Sequence, residues 1–344
     1  MKKITFFFSV IFLFYGVSSA DYLEVRRSAT VKENPDRDAT IIERAQEGVF
    51  LTLLNDGQQQ NGYYQVEASS IDDTGWIYRT LVRRYKGNIP TVSSVAIVAL
   101  TYGPIPAEYY AAAAGLEGEE LKAVLHEIIK NHREFSYGSV WDILKKTDVD
   151  PQDPKKVIGL YSGFSMDAEA QYDDGRGWNR EHVWAKSRGD FGTSKGAGTD
   201  VHHVRVEDVS TNSARNNRAF DECDTQYVDI SGNYNGKTKS YTCSEWAWEP
   251  RDEVKGDVAR MMFYMVVRYE GEDNEPDLEF VDEIMDKESI EPVHGRLSTL
   301  LEWHDQDPVD DYERYRNNII YEKYQRNRNP FIDHPEYVAK IWEN

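Results

Sequence analysis

The feature that most constrains the fold is a change in the spacing of apolar residues part way along the chain. Between residues 21 and 86, short apolar runs alternate with turn residues such as Asn55-Asp56-Gly57, a pattern that predicts short strands. From Glu117 onward the apolar residues recur at helical spacing, as in Leu121, Leu125 and Ile129. The chain of 344 residues also exceeds a typical single domain. We therefore expect a small all-β domain followed by an α+β, mainly helical domain.

The first twenty residues have the pattern of a signal peptide. Met1-Lys2-Lys3 is basic, residues 4–17 are apolar, and Ser18-Ser19-Ala20 offers a small-residue cleavage site. The apolar run is too short to span a membrane, and no later stretch approaches that length. The sequence therefore predicts export to the periplasm or out of the cell, with the mature chain beginning at Asp21.

The β-patterned segment resembles a known small module. Its blocks LEVRRSATVKENPDRDATII, EGVFLTLL and NGYYQVEASSIDDTGWIYRTLV follow the order of bacterial SH3 domains. The resemblance implies a five-stranded SH3-like barrel over residues 21–86 that binds cell-wall peptide or a partner protein, or that serves as a spacer. Residues 87–101 are expected to be a linker, and residues 102–344 the second domain.

The second domain has its own pattern of helices and strands. Residues 117–130 and 137–146 predict helices, and residues 157–164 predict a buried strand. The long stretch 253–269 predicts a helix whose Met261, Met262 and Met265 pack in the core. Residues 291–344 are expected to be helical, with a break at 327–330.

Residues 178–218, WNREHVWAKSRGDFGTSKGAGTDVHHVRVEDVSTNSARNNR, concentrate the groups needed to cut a phosphodiester bond. Carboxylate and amide oxygens suit a hard cation, and a near-neutral imidazole can accept a proton from water. We expect His182 to be the general base and Glu181 and Asn212 to hold Mg²⁺, with Asn212 at the start of a helix over 211–220. Neighbouring strand residues point to opposite faces, so Glu181 and His182 can converge only at a strand end, a bulge or a loop.

Four ordered blocks in the second domain carry a second resemblance. WNREHVWAKS, TDVHHVRVEDVSTNSARNNRAFDE, WEPRDEVKGDVARMMFYMVVRYEG and QRNRNPFIDHPEYVAKIW are similar to the bacterial endonuclease I family of exported nucleases. The resemblance implies a ββα-metal core, with Glu181 and Asn212 matching the magnesium ligands and His182 the general base; Mn²⁺ or Ca²⁺ are candidate substitutes for Mg²⁺. It also implies cleavage of DNA, and often RNA, with little sequence preference and with 5′-phosphate products.

Other residues of the stretch have less specific roles. The candidates for phosphate contact are Arg180, Arg188, Arg215 and Arg218. Arg215 and Asn217 fall on the family pattern Asn-x-x-Arg-x-Asn, where they either orient Asn212 or contact phosphate. Asp200, His202 and His203 are expected to support the fold around the metal loop.

The distribution of charge bears on the substrate. The formal net charge is −20, or −22 without Lys2 and Lys3, which is the wrong sign for bulk attraction to nucleic acid. However, residues 176–218 carry eight Lys/Arg against five Asp/Glu. A second basic segment includes Arg314, Arg316, Lys323, Arg326 and Arg328, which are either solvated helical faces or a further contact with a polymer.

Cys223 and Cys243 are the two cysteines of the chain. In an exported protein such a pair most simply forms a disulfide, which contributes roughly 3 kcal/mol through loop closure. A zinc site that also uses His202 and His203 is the alternative, although neither cysteine belongs to a CxxC pair.

Two other functions compete with a monomeric nuclease. One is a cell-surface binding protein that acts through the SH3-like domain and carries a degenerate nuclease domain; the intact set of Glu181, His182 and Asn212 argues against it. The other is a metal-dependent phosphodiesterase for small or lipid substrates, which suits the acidic composition, whereas the basic segments favour a polymeric substrate.

Overall fold

The computed structural model describes residues 21–26, 29–37, 39–45, 49–67, 74–87, 100 and 102–343. They belong to two compact units, Met1–Ser94 and Val95–Asn344. The predicted signal peptide and most of the predicted linker lie outside the described residues.

The N-terminal unit is built from short antiparallel strands. They are β1 (Tyr22–Val25), β2 (Ala29–Lys32), β3 (Ile41–Ala45), β4 (Phe50–Thr52), β5 (Gln59–Gln60), β6 (Tyr63–Glu67), β7 (Thr74–Tyr78) and β8 (Val82–Tyr85). One sheet has the order β4-β1-β8 and the other β3-β2-β7-β6-β5. Their apolar faces enclose one core that includes Leu23, Val31, Leu51, Val66 and Ile77.

The predicted closed SH3-like barrel is not shown. The strands pair as two separate sheets. An isolated bridge between Leu53, which follows β4, and Val66 of β6 connects the two sheets. The all-β character follows from the alternating pattern of the sequence. Closure of a barrel depends on pairing between strands distant in sequence, which alternation does not specify.

The C-terminal unit mixes helices and strands. Its helices are α1 (Gly118–Ile129), α2 (Tyr137–Thr147), α3 (Val209–Arg215), α4 (Lys255–Arg268), α5 (Leu297–Gln306), α6 (Asp311–Ile319), α7 (Pro330–Asp333) and α8 (Tyr337–Trp342). Its strands are β9 (Val149–Asp150), β10 (Asp153–Ile158), β11 (Ser165–Asp167), β12 (Trp178–His182), β13 (Val204–Asp208), β14 (Ala219–Phe220), β15 (Thr225–Asp229), β16 (Gly236–Thr242), β17 (Ala247–Glu249), β18 (Glu279–Val281) and β19 (Val293–Arg296).

Helix α4 is the centre of this unit, since every one of its residues is buried. Met261, Met262 and Met265 belong to the main hydrophobic cluster, which confirms their predicted packing role. The strands form four small sheets, in the orders β11-β10-β9, β12-β13, β14-β17-β16-β15 and β18-β19. The pairs β14-β17 and β18-β19 are parallel, whereas the other pairs are antiparallel.

Three predicted elements are wrong in extent or type. Residues 293–296, inside the stretch 291–344 predicted as helical, form strand β19. The helix predicted over 211–220 ends at Arg215, because Asn216 adopts φ 52° and leaves the helix. The strand predicted over 157–164 ends at Ile158, and a turn follows in which Gly163 has φ +69° and its amide donates to the Gly159 carbonyl.

The C-terminal basic segment includes arginines that stabilise the fold. Arg316 pairs with Asp148, and its Nη2 donates to the Val204 carbonyl at 2.9 Å. Arg328 pairs with Asp333 at 2.6 Å. Both arginines are buried, so they are not available to bind a polymer at the surface. Within the described part of the chain, no helix combines the length and apolarity needed to cross a bilayer.

Candidate active site

Two antiparallel strands and the helix that follows them form the centre of the candidate site. In the β12-β13 pair, Glu181 lies opposite Arg205 and His182 opposite Val204. Helix α3 begins directly after β13 and is capped by Asp208, whose carboxylate accepts from the amides of Ser210 and Thr211 at 3.2 and 2.7 Å. This cap fixes the direction of the helix that carries Asn212.

The three residues predicted to carry the chemistry line one cleft of about 370 Å³. His182 is the last residue of β12, so the pair lies at a strand end, one of the arrangements that the sequence leaves open. The remaining residues that line the cleft are Tyr137, Asn179, Arg180, Ala185, Lys186, Ser187, Ser213, Asn216 and Asn217.

Glu181 is held by two donors on one of its oxygens. Its Oε1 accepts from the Tyr161 hydroxyl at 2.8 Å and from Arg215 Nη1 at 2.9 Å. No side chain among the described residues donates to its Oε2. Burial raises the pKa of Glu181 to about 7, while Arg215 and Tyr161 act in the opposite direction. The carboxylate is thus oriented by one oxygen and leaves the other without a side-chain donor among the described residues.

The hydrogen bonding of His182 defines its tautomer. Nε2 lies 3.0 Å from the carbonyl oxygen of Gly198, and because a carbonyl can only accept, Nε2 carries the hydrogen. Nδ1 then has a free lone pair. The ring stacks on Tyr137, with centroids 5.8 Å apart. Burial lowers the pKa of His182 to about 3, so the imidazole is neutral at neutral pH.

The turn that supplies the Gly198 carbonyl is anchored by the other predicted polar residues. His203 Nε2 donates to the Ala197 carbonyl at 2.7 Å. His202 Nε2 bonds to Asn327, and the Asp200 carboxylate accepts from the hydroxyls of Tyr264 and Tyr269 at 2.8 and 2.9 Å. These side chains are buried and do not line the cleft. Their contacts hold the turn in position.

Asn212 meets the requirements for a second cation ligand. It is half-buried on α3, and its Nδ2 is buried without a hydrogen-bond partner among the described residues. A buried amide without a partner is costly, and a rotation of the amide exchanges its nitrogen and oxygen. Together with Glu181 Oε2, it gives the cleft one carboxylate and one amide oxygen donor, the donor types that Mg²⁺ accepts.

The four candidate arginines have different environments. Arg188 and Arg215 are fully buried, so the expectation that they contact phosphate needs correction. Arg188 donates to the carbonyls of Asp286 and Ser289 at 2.8 and 2.9 Å, and Arg215 binds Glu181 and the carbonyls of His182 and Val183. Arg188 therefore satisfies backbone carbonyls, and Arg215 satisfies a carboxylate and backbone carbonyls, inside the protein.

Arg180 and Arg218 remain partly exposed. Arg180 lines the cleft, with its guanidinium carbon 3.4 Å from the Tyr137 ring centroid and 4.0 Å from that of Trp141. Its Nε is buried without a partner in the described structure. Arg218 lies beyond the cleft, with its guanidinium carbon 3.9 Å from the ring centroid of Trp246.

Sequence reasoning missed Tyr161 and Tyr137. Tyr161 lies in the stretch predicted as a buried strand, where an aromatic residue indicates packing and its hydroxyl gives no separate signal. Tyr137 lies at the start of α2, far from the cleft in sequence. Only the three-dimensional arrangement brings the Tyr161 hydroxyl to Glu181 and the Tyr137 ring to His182.

Cys223 and Cys243 form a disulfide, so they are not thiolate ligands for zinc. A separate group of potential ligand atoms, in His126, Glu127 and Glu272, lies within 4.8 Å. Lys130 already pairs with both of these glutamates. No second feature of this group indicates a metal.

A carboxylate, an unprotonated imidazole nitrogen and an amide in one cleft are the groups of a hydrolase site. The comparisons with known proteins identify it further. The family model for Endonuclease I matches residues 117–336, and the chain belongs to that family. It is 56% identical over 234 residues to an extracellular ribonuclease of Bacillus subtilis (strain 168), and 53% identical over 234 residues to an extracellular ribonuclease of Bacillus amyloliquefaciens. Each match covers 68% of this chain and 78% of the relative. The protein is a nuclease.

Proposed function

We propose that the protein is an exported, Mg²⁺-dependent endonuclease that hydrolyses nucleic acid without sequence preference and leaves 5′-phosphate ends. One observation carries the proposal: Glu181, His182 and Asn212 line one cleft, and Asn212 Nδ2 is buried there without a hydrogen-bond partner among the described residues. A buried amide without a partner is costly, so a ligand in this cleft is expected to satisfy it.

His182 acts as the general base. Gly198 holds the hydrogen on Nε2, which leaves Nδ1 to take a proton from the water that attacks phosphorus. The proton passes to the imidazole, the water oxygen bonds to phosphorus, and the bond to the leaving 3′ oxygen breaks. Since the low pKa keeps His182 unprotonated, no preceding deprotonation of the base is needed at neutral pH.

Glu181 and Asn212 would hold the magnesium ion. The ion supplies positive charge to the scissile phosphate and the leaving oxygen. Arg215 keeps Glu181 in place from behind, and α3 presents Asn212 from the other side of the cleft. Arg180 and exposed Lys186 add positive charge at the rim.

Polymeric RNA and DNA are the proposed substrates. The two Bacillus relatives are named extracellular ribonucleases, which supports RNA as a substrate and supports export. A water nucleophile activated by His182 needs no 2′-hydroxyl, so the same chemistry applies to DNA. The proposed contacts go to phosphate rather than to base edges, which supports cleavage with little sequence preference.

The N-terminal unit is proposed to bind cell-wall peptide or a protein. Its described surface includes a groove of about 690 Å³ whose lining includes Tyr63, Tyr78, Lys32 and Arg37. Aromatic rings beside cationic side chains suit an extended peptide with acidic groups. Binding of purified peptidoglycan fragments by the chain, and its loss in Tyr63→Ala, tests this second role.

Digestion of plasmid DNA and of RNA tests the catalytic proposal. The full chain is assayed with Mg²⁺ and with EDTA, beside His182→Ala, Glu181→Gln and Asn212→Ala. We expect cleavage that requires the metal, and losses of at least roughly a hundredfold in each variant, the range for removal of an acid–base or electrostatic group.

Lys237→Gln is the matched control, because Lys237 is an exposed residue of β16 outside the cleft. It should digest both polymers as the wild type does. A wild-type chain that is folded but inert on both polymers with Mg²⁺, Mn²⁺ and Ca²⁺ would overturn the catalytic proposal.

A further inference from the structure

A cluster of one tryptophan and two cations lies next to the cleft, on the side of Asn217. Trp246 has the guanidinium carbon of Arg218 3.9 Å from its ring centroid and the ammonium of Lys287 4.9 Å from it. We name Trp246, Arg218 and Lys287 the Trp246 cluster. Two cations that share one ring repel each other, and the ring quadrupole only partly offsets that repulsion. An anion is therefore the natural ligand.

Strand register explains how the cluster forms. β14 and β17 are parallel, with Ala219 opposite Ala247. Arg218 and Trp246 each directly precede one of these strands, so they lie side by side where the two strands begin. The Ala219 amide donates to the Trp246 carbonyl at 3.1 Å, which locks this register.

The backbone of Trp246 is in a costly conformation. Its φ is 65°, in the left-handed region that a bulky residue rarely adopts and that costs about 1–3 kcal/mol. Surrounding contacts maintain it: the indole Nε1 donates to Asn217 Oδ1 at 2.8 Å, and the nearby Cys243 is tied to Cys223. Such strain is concentrated at functional sites.

The loop that carries Lys287 is fixed to the same place. Asn217 Nδ2 donates to the Lys287 carbonyl at 2.8 Å, and Arg188 donates to the carbonyls of Asp286 and Ser289. The buried guanidinium of Arg188 thus holds the backbone on both sides of Lys287. The Lys287 side chain itself is exposed, so its ammonium is accessible from solution.

Asn217 connects the cluster to the cleft. It lines the cleft with Glu181, His182 and Asn212, and it accepts the Trp246 indole hydrogen bond. Arg218 donates from Nε and Nη1 to the carbonyls of Ala214 and Cys243 at 3.2 and 3.5 Å. Its Nη2 has no partner among the described residues. The cluster therefore offers one free guanidinium nitrogen and one ammonium beside the reacting groups.

We propose that the Trp246 cluster is a second phosphate subsite, which binds the nucleic-acid backbone at a phosphate next to the scissile one. This inference rests on the proposed function and assigns two cations and their aromatic support to substrate binding. The subsite serves polymers and is unused by a substrate with a single phosphate. The subsite also provides local positive charge that attracts a polyanion to a chain whose net charge is −20.

The test measures binding and hydrolysis separately. Binding of a fluorescein-labelled single-stranded oligonucleotide is followed by anisotropy against salt concentration in the His182→Ala chain, with and without Arg218→Gln and Lys287→Gln. We expect the double substitution to weaken binding by roughly tenfold and to lower the slope of log K against log salt by ~0.7, since the subsite contacts one phosphate and each phosphate contact to a single strand contributes ~0.7.

Hydrolysis is measured with His182 intact. R218Q/K287Q should raise KM for the oligonucleotide with little change in kcat, and should leave kcat/KM for a thymidine dinucleotide unchanged. Lys237→Gln, which like K287Q removes one positive charge from an exposed position, is the control. If R218Q fails to fold, K287Q alone still tests the subsite, because the Lys287 side chain is exposed. The K287Q variant should give half the change in the slope of log K against log salt.

The outcomes separate the inference from the proposed function. If the wild type cuts the oligonucleotide but K287Q and R218Q/K287Q bind with unchanged affinity and slope, the subsite is wrong and the nuclease stands. If the variants lose affinity while the wild type cuts no nucleic acid, the subsite stands and the hydrolytic function fails. Equal losses on dinucleotide and oligonucleotide would also contradict the subsite, since they would indicate damage to the catalytic groups.

Discussion

At the scale of single residues, the site is organised by buried cations that bind protein oxygens. Arg215 joins Glu181 to the carbonyls of His182 and Val183, and its Nη2 lies 3.0 Å from His294 Nε2. One guanidinium therefore fixes a carboxylate, the backbone of the catalytic pair and a neighbouring imidazole. The planar guanidinium has several donors in a fixed arrangement and can bind all these groups at once. A lysine ammonium has its donors on a single atom and cannot bind all of them.

Replacement of Arg215 by methionine tests that role. Arg215→Met leaves Glu181 buried without its cation, and removal of one partner of a buried ion pair costs about 3–5 kcal/mol. We expect a fall of that size in the free energy of unfolding, measured by urea denaturation, and a loss of nuclease activity. Arg215→Lys should be intermediate in both. Unchanged stability in Arg215→Met would show that the ion pair with Glu181 makes no net contribution.

At the scale of elements, the sequence predicted the helices whose apolar residues recur at helical spacing. Helices α1, α2 and α4 agree with their predicted bounds to within about two residues. Helices α1 and α2 each bury one face against the core, whereas α4 is buried along its whole length. The end of α3 could not be read in this way. Asn216 leaves the helix through a left-handed conformation, and the preceding residues give no glycine or proline signal.

The same limit applies to the candidate site. Glu181, His182 and Asn212 could be chosen from their chemistry and from the family blocks, and they line one cleft. The burial of Arg188 could not be predicted, since an arginine in a basic stretch is normally exposed. Its partners are carbonyls about one hundred residues away in sequence, and only tertiary structure brings them together.

The disulfide stabilises the pair of strands that precedes Trp246. Cys223 and Cys243 are separated by 20 residues and enclose β15 and β16. Closure of a loop of this length contributes about 3 kcal/mol in the chain-entropy model. Cys223→Ser/Cys243→Ser should lower the free energy of unfolding by about that amount, measured in urea without reductant. The wild type with reductant should behave like the double variant; a wild type insensitive to reductant and equal in stability to the variant would contradict this.

A half-buried carboxylate links the end of α5 to the start of α4. Asp307 accepts from the Gly256 amide at 2.9 Å. Burial, with a further contribution from Asp257, raises its pKa to about 6 from 3.8. Asp310 acts in the same direction and Arg260 in the opposite one. The folded state therefore binds this proton more tightly than the unfolded state, and the stability gained from it is lost as pH rises from about 4 through about 6.

Asp307→Asn tests whether ionisation of Asp307 lowers the stability of the fold. The asparagine cannot ionise, but its amide oxygen can still accept a hydrogen bond from the Gly256 amide. We expect the variant to have a higher Tm than the wild type at pH 7 and a Tm similar to it at pH 4. The difference between the two proteins across pH removes the contribution of other titrating groups. A variant less stable than the wild type at pH 7 would show that the Asp307 charge is favourable in the folded state.

At the scale of the whole molecule, catalysis and the proposed cell-wall binding belong to different units. Every residue assigned to the cleft lies in the Val95–Asn344 unit, as does the whole family match over residues 117–336. Residues 21–86 carry eleven Asp/Glu and nine Lys/Arg, so the N-terminal unit adds no net positive charge that would attract nucleic acid. Each unit also has its own hydrophobic core.

Removal of residues 1–94 is therefore expected to leave the nuclease intact. The truncated chain should fold, as judged by circular dichroism and a cooperative thermal transition. It should also retain kcat and KM for RNA and DNA within about twofold, because its cleft, the Trp246 cluster, Arg188 and Arg215 are unchanged. Retention on peptidoglycan should be lost at the same time. A folded truncated chain with a much higher KM would instead assign the N-terminal unit a part in binding nucleic acid, and unchanged retention on peptidoglycan would move the wall-binding surface to the catalytic unit.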